Sequence, residues 1–166
     1  MHGGDELKHI SRSDELRLYF LRAIQMYGAD IFRSEGMHLE KQLPHHRAVS
    51  VYDHSIRVAY LSFWIATHLG CHVDERALLR GALLHDYFLY DWHEPEKWHR
   101  LHGFRHPGFA LANAKRDFSL SPIEADIIQR HMFPLTPVPP RFRESVIVCL
   151  ADKVCAAAEV CRKAGS

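Results

Sequence analysis

The stretch Asp74-Glu75-Arg76-Ala77-Leu78-Leu79-Arg80-Gly81-Ala82-Leu83-Leu84-His85-Asp86-Tyr87 decides the fold class. Two acids open it, as suits the positive end of a helix, and Leu78, Leu79, Ala82 and Leu83 recur at the three-to-four-residue spacing of one helical face. Outward from it the same period continues. A helix is predicted from about Val49 to Leu69, stopped by Gly70, and an earlier one is opened by Ser13, Asp14 and Glu15 and carries Leu16, Tyr19, Phe20, Ala23, Ile24 and Tyr27. Downstream, Pro107 suits the first turn of a helix through Ala110, Leu111 and Ala114. Ser121-Pro122-Ile123-Glu124 has the spacing of a capping box for a short helix ending near His131, and a last helix runs from Ser145 to about Arg162. The four prolines between Pro134 and Pro140 exclude a helix there. No stretch alternates as a half-buried strand would, so an all-α, compact helical bundle is expected.

The chain has 166 residues, a one-domain length, with 47% hydrophobic and 25% charged residues. Its 21 Lys+Arg against 20 Asp+Glu provide no general attraction to a nucleic-acid polymer or an anionic membrane. The longest apolar run, Val58 to Ala66, is broken by Ser62 and is far short of a spanning segment. Cys71, Cys149, Cys155 and Cys161 form no C-x-x-C pair and read as small hydrophobes of a reduced protein, with a cytoplasmic location expected. The unusual entry in the composition is histidine, at 14 residues. Imidazole ligates metals and titrates near neutrality, so a metal or acid/base site is the first expectation.

Histidines and acids inside apolar helices must be satisfied internally or act as ligands. His54 has Val51 and Val58 on its face; His85 and Asp86 end an apolar helix; His106 precedes Pro107; His131 follows Ile127 and Ile128 by one turn. Asp152 lies among Val148, Cys149, Cys155 and Ala156, where an unpaired carboxylate would cost several kcal/mol, on the order expected for a buried charge. A cation is needed. Four imidazoles and two carboxylates without thiolate suit iron, manganese or another first-row divalent ion, and six ligands suit two ions sharing a carboxylate. The competing readings are core histidines satisfied by backbone carbonyls, and a mononuclear site with His106 and His131 as substrate contacts.

The order His54, His85-Asp86, Asp152 resembles the H…HD…D signature of the HD-domain superfamily of metal-dependent phosphohydrolases. His106 and His131 resemble the extra histidines of its binuclear members. Tyr52 to Ala59, Gly81 to Tyr87, Arg105-His106-Pro107, Ile128 to His131 and Leu150 to Lys153 carry the likeness. It covers about residues 48–160 of a chain read as one HD domain, 1–166, with an N-terminal helical extension. The resemblance implies that His54, His85, Asp86 and Asp152 hold one ion and that Asp86 bridges to a second held by His106 and His131. Two divalent ions are implied, iron or manganese first, with magnesium, nickel, cobalt or zinc also compatible. They would activate a water to attack the phosphate ester or anhydride of a small molecule, a nucleotide being the preferred substrate.

Asp86, Arg57 and Lys153 are the candidate catalytic residues, and Arg57, Arg105, Arg130, Lys97 and His102 the candidate substrate contacts. Arg57 is the preferred phosphate clamp because i+3 spacing places it on the face of His54. His102 is also an alternative ligand to His106, and His45-His46 is the remaining histidine pair best placed to approach the site. Many family members carry a lysine three residues after the HD aspartate; here that place is Leu89. That departure keeps two other readings open, an HD-type di-iron oxygenase and an inactive metal-binding regulatory protein. Oligomeric state is left open.

Overall fold

A computed structural model describes residues 11–46, 49–91 and 101–161, the side chain of His46 excepted. In chain order the elements are α1 (Arg12–Tyr27), α2 (Ala29–Phe32), α3 (Glu35–Glu40), β1 (Pro44–His46), β2 (Val49–Ser50), α4 (Val51–His68), α5 (Glu75–Leu84), α6 (His102–Asp117), α7 (Pro122–Arg130) and α8 (Arg143–Cys161). The all-α expectation holds, with one short antiparallel pair, β1 and β2, before α4.

α5 is the central element. Asp74 caps it by accepting the Ala77 N–H at 2.8 Å, and every residue from Ala77 to Leu84 is buried. A helix buried on all sides must be surrounded, and α4, α7, α8 and α1 do so. α7 approaches so closely at Gly81 that an added Cβ would stand 2.4 Å from Ile127 Cδ1. α4 turns Val51, His54, Ser55, Val58, Ala59, Ser62, Phe63 and Ala66 inward, a helical stripe facing α5 and α8. It stops at Gly70, whose φ of 62° is the left-handed conformation glycine tolerates best. α7 opens with the predicted capping box: Ser121 Oγ accepts the Glu124 N–H, and Glu124 accepts the Ser121 N–H.

Three boundaries differ from the sequence reading. Ser11, not Ser13, caps α1, accepting the Asp14 N–H at 3.2 Å. Before α4 the structure adds a helix where the sequence reading placed no element: Ser34 caps α3, and Gly36 within it is required because a Cβ there would overlap the Tyr87 hydroxyl. α6 begins at His102, one turn earlier than Pro107 implies. Pro107 therefore lies inside the helix, in its second turn, where it removes an N–H that would meet the Gly103 carbonyl, and His106 Nδ1 donates to the His102 carbonyl at 3.0 Å beside it. No helix of the described residues is long and apolar enough to cross a membrane.

Candidate metal centre

Five helices deliver the polar residues of the core to one place. α4 carries His54 and α8 carries Asp152; His85 is the C-cap of α5 with Asp86 next to it; α6 carries His106; His131 is the C-cap of α7. All six side chains are buried. His54 Nε2 lies 3.1 Å from Asp152 Oδ1, and His85 Nε2 lies 3.6 Å from both Asp152 Oδ1 and Asp86 Oδ2. On the other side of Asp86, Oδ1 lies 3.2 Å from His106 Nε2 and 3.4 Å from His131 Nε2. Those two nitrogens are themselves 2.7 Å apart.

Helix ends explain the ring orientations. The last carbonyls of a helix lack intrahelical partners. His85 Nδ1 takes up the Ala82 carbonyl at 2.8 Å, and His131 Nδ1 the Ile128 carbonyl at 2.9 Å. With the Nδ1 hydrogens of His85, His106 and His131 committed to backbone oxygens, their Nε2 lone pairs point inward. His54 Nδ1 is committed to Glu159, 3.2 Å away, with the same result. Lone pairs therefore face carboxylate oxygens and, between His106 and His131, one another. Neutral imidazoles and carboxylates repel in that arrangement, so the centre requires positive charge.

The electrostatics say the same. Burial favours a neutral Asp86, yet the His85 charge and contacts from His106, His131 and His45 hold it well below the usual carboxylate range. Burial likewise opposes ionisation of Asp152, and hydrogen bonds from His54 and His85 overcome it, lowering its pKa. Burial would depress His85, but the Asp86 charge and Asp152 raise it to about 9. For His45, burial is likewise outweighed by Asp86 and Glu159, again to about 9. Unless another cation balances these carboxylates, protons must. His85 Nε2 and Asp86 Oδ1, both buried, have no hydrogen-bond partner among the described residues. Three overlapping groups bring their ligand atoms within 4.8 Å of one another, close enough to share an ion: His45, His54 and Asp86; His54, His85 and Asp152; His85, Asp86 and His131.

Residues 51–157 match the family model for the HD domain. The chain belongs to the HD domain family. No match was found among curated proteins or solved structures. In this HD domain a cavity of about 590 Å³ opens onto the centre, lined on its polar side by His45, Asp86, His102, His106, His131, Asp152 and Lys153. Met132, Pro134, Leu135 and Ala156 form an apolar wall.

Several candidate substrate contacts are placed elsewhere. Arg57 does not reach the cavity: its guanidinium donates to Glu159 at 3.0 Å, behind His54. Arg130 turns away to Asp126, 2.8 Å distant, and to the Pro139 carbonyl. Arg105 is exposed and does not line the cavity. Lys97, with Trp92 and Trp98, lies outside the described residues. His102 does line the cavity, with its Nδ1 2.9 Å from the Tyr90 hydroxyl. Lys153 lines it too, its Nζ donating to the His131 carbonyl at 2.9 Å. Leu89, at the place of the family lysine, is absent from the lining and has a φ of 60°, a conformation rare for a leucine.

Three acids and bases at the centre escaped the sequence reading in whole or part. His45 is brought fully in by β1, its Nε2 3.3 Å from Asp86 Oδ2. Glu159 stands two turns after Asp152 on α8, a seven-residue spacing that marks the same helix face. Glu40, fully buried, has both carboxylate oxygens without a partner among the described residues; burial and then the Asp86 charge push its pKa well up.

Proposed function

We propose that the protein is a metal-dependent phosphohydrolase acting on the phosphate ester or anhydride of a small molecule, a nucleotide being the first candidate. The observation that carries this reading is the convergence of inward Nε2 atoms on Asp86 and Asp152, a nitrogen and oxygen donor set that fits divalent cations. His54, His85, Asp86 and Asp152 would hold one ion, and His106, His131 and the other oxygen of Asp86 a second. A donor set of nitrogen and oxygen without thiolate fits iron or manganese. Such ions polarise a phosphoryl oxygen and make a nucleophile from water near neutral pH.

The chain's own residues do the rest. The Nδ1 bonds to Ala82, His102 and Ile128 keep Nε2 of each imidazole turned inward, so a proton displaced by an ion leaves from the atom that takes the ion. Lys153 donates to the His131 and Cys149 carbonyls and to the Cys149 sulfur, the last a weak acceptor that a phosphate oxygen would displace, and these contacts fix its ammonium at the cavity. There it supplies the positive charge that Leu89 does not, orienting a phosphate oxygen of the substrate. The apolar wall at Met132, Pro134 and Leu135 receives the organic part. A volume of about 590 Å³ suits a compact molecule, in the range of ordinary small-ligand sites.

The test is release of inorganic phosphate from a panel of nucleotides and small phosphomonoesters by protein loaded with manganese or ferrous iron under anaerobic conditions. Turnover without oxygen is expected. Oxygen consumption with no anaerobic phosphate release would instead favour the di-iron oxygenase reading, which the leucine at position 89 keeps in play. Lys153→Met should lower kcat/KM for the best substrate about 10- to 100-fold, corresponding to a lost charge-assisted hydrogen bond of about 1.5–3 kcal/mol, while metal content stays that of the wild type. Unchanged kinetics would remove Lys153 from the substrate site.

A further inference from the structure

His45 precedes the residues that the HD domain family model matches, yet it reaches the centre. Its ring stacks on that of His54, centroids 3.8 Å apart and planes within 18°. Its Nδ1 stands 3.4 Å from Glu159 Oε2, and the same carboxylate meets His54 Nδ1 at 3.2 Å. Glu159 thus backs two stacked imidazoles through the same ring atom, and each presents Nε2 to the carboxylates of the centre. A carboxylate behind a histidine is how proteins orient a metal ligand and increase its basicity. Arg57 donates to Glu159 at 3.0 Å and balances its charge from the far side. The ligand atoms of His45, His54 and Asp86 all lie within 4.8 Å of one another.

We propose that His45 is a further metal ligand, joining the ion held by His54, His85 and Asp152, with Glu159 as the positioning residue for both histidines. This rests on the metal-centre reading above. It makes the two ions unequal. His45, His54, His85, Asp86 and Asp152 nearly complete the first ion's shell, whereas His106, His131 and Asp86 leave the second open. Both histidines of the second ion, His106 and His131, line the cavity, whereas of the first ion's ligands Asp86 and Asp152 reach it and His54 and His85 do not. His45 lines it as well, and as a ligand would narrow the access of substrate to the first ion.

Cobalt(II) titration of the metal-free protein, followed by visible absorption and metal analysis, tests this without any substrate. The wild type should take up two ions. His45→Ala should bind one of them roughly 10- to 100-fold more weakly, with a changed visible spectrum, and Glu159→Gln should follow in the same direction. His45→Gln keeps the bulk and hydrogen bonding of the position, and its spectrum should also change; circular dichroism shows that each variant is folded. Two ions bound by both His45 variants with wild-type affinity and spectrum would overturn the role of His45 and leave the metal centre standing. Failure of the wild type to bind cobalt, manganese or iron would overturn the metal centre and this inference with it.

Discussion

Asp86→Ala is expected to lose both metal ions and all measurable turnover. Asp86 stands between two groups of ligands. Oδ2 faces His45 and His85 at 3.3 and 3.6 Å, and Oδ1 faces His106 and His131 at 3.2 and 3.4 Å. Removing the carboxylate takes a negative charge from each group and leaves four imidazoles crowded around a small gap. Loss of metal chemistry from a hydrolase corresponds to a rate deficit of at least about 10³-fold, or roughly 4 kcal/mol of transition-state stabilisation. The gain in Tm expected of the wild type on adding manganese should vanish as well, because that gain is binding energy for the folded state. Asp86→Asn separates the two halves. An amide keeps one oxygen as a ligand and turns its NH2 toward the other side, so at most one ion should remain. Metal analysis of the purified variants decides the matter; two tightly held ions in Asp86→Ala would show that Asp86 does not bridge.

The histidines of this centre could be read from sequence because of where they fall on their helices. His54 in an apolar stripe, His85 directly after Leu83 and Leu84, and His131 one turn after Ile127 and Ile128 announce buried polar groups that need partners. What a single helix does not reveal is the partner from a distant one. The i+3 spacing correctly put Arg57 on the face of His54, and both side chains do meet a common group. That group is Glu159, more than 100 residues on, which takes the guanidinium that a phosphate was expected to take. Arg130 is diverted in a similar way by Asp126, its i−4 neighbour, a local pairing that the sequence did display. β1 and α3 were harder to see. Three residues of strand carry no periodicity, and a helix containing Gly36 has poor intrinsic propensity; Gly36 is there because Tyr87 packs against it. His45 inherits its position from that segment, so its place in the centre follows from tertiary packing rather than from any local pattern.

Arg80→Ala should be the most destabilising single substitution away from the centre, by about 3–5 kcal/mol, the cost of removing one partner from a buried ion pair. Arg80 is 3% exposed and Glu124 fully buried. The guanidinium donates through Nε to Glu124 at 2.8 Å and through Nη1 to the Tyr27 carbonyl at 3.0 Å, and it also pairs with Asp30. One side chain thus ties the α1–α2 corner to α5 and α7. Truncation strands the Glu124 carboxylate; Arg76 approaches the same oxygen only at 3.8 Å from an exposed position and cannot replace the lost contact. For a domain of this length the change corresponds to a fall in Tm of roughly 10 °C, taking about 2–4 °C per kcal/mol. Glu124→Gln should cost less, because the amide is neutral and Arg80 retains Asp30 and the Tyr27 carbonyl. A thermal melt of the two variants separates charge stranding from simple loss of contacts: if Arg80→Ala melts with the wild type, or Glu124→Gln falls as far as Arg80→Ala, the buried charge is not what makes the site costly to break. The consequence reaches the metal centre, since α5 ends in His85 and Asp86. A shift of α5 against α7 moves those ligands relative to His131 at the end of α7, so Arg80→Ala should also weaken manganese binding while leaving every ligand in the chain.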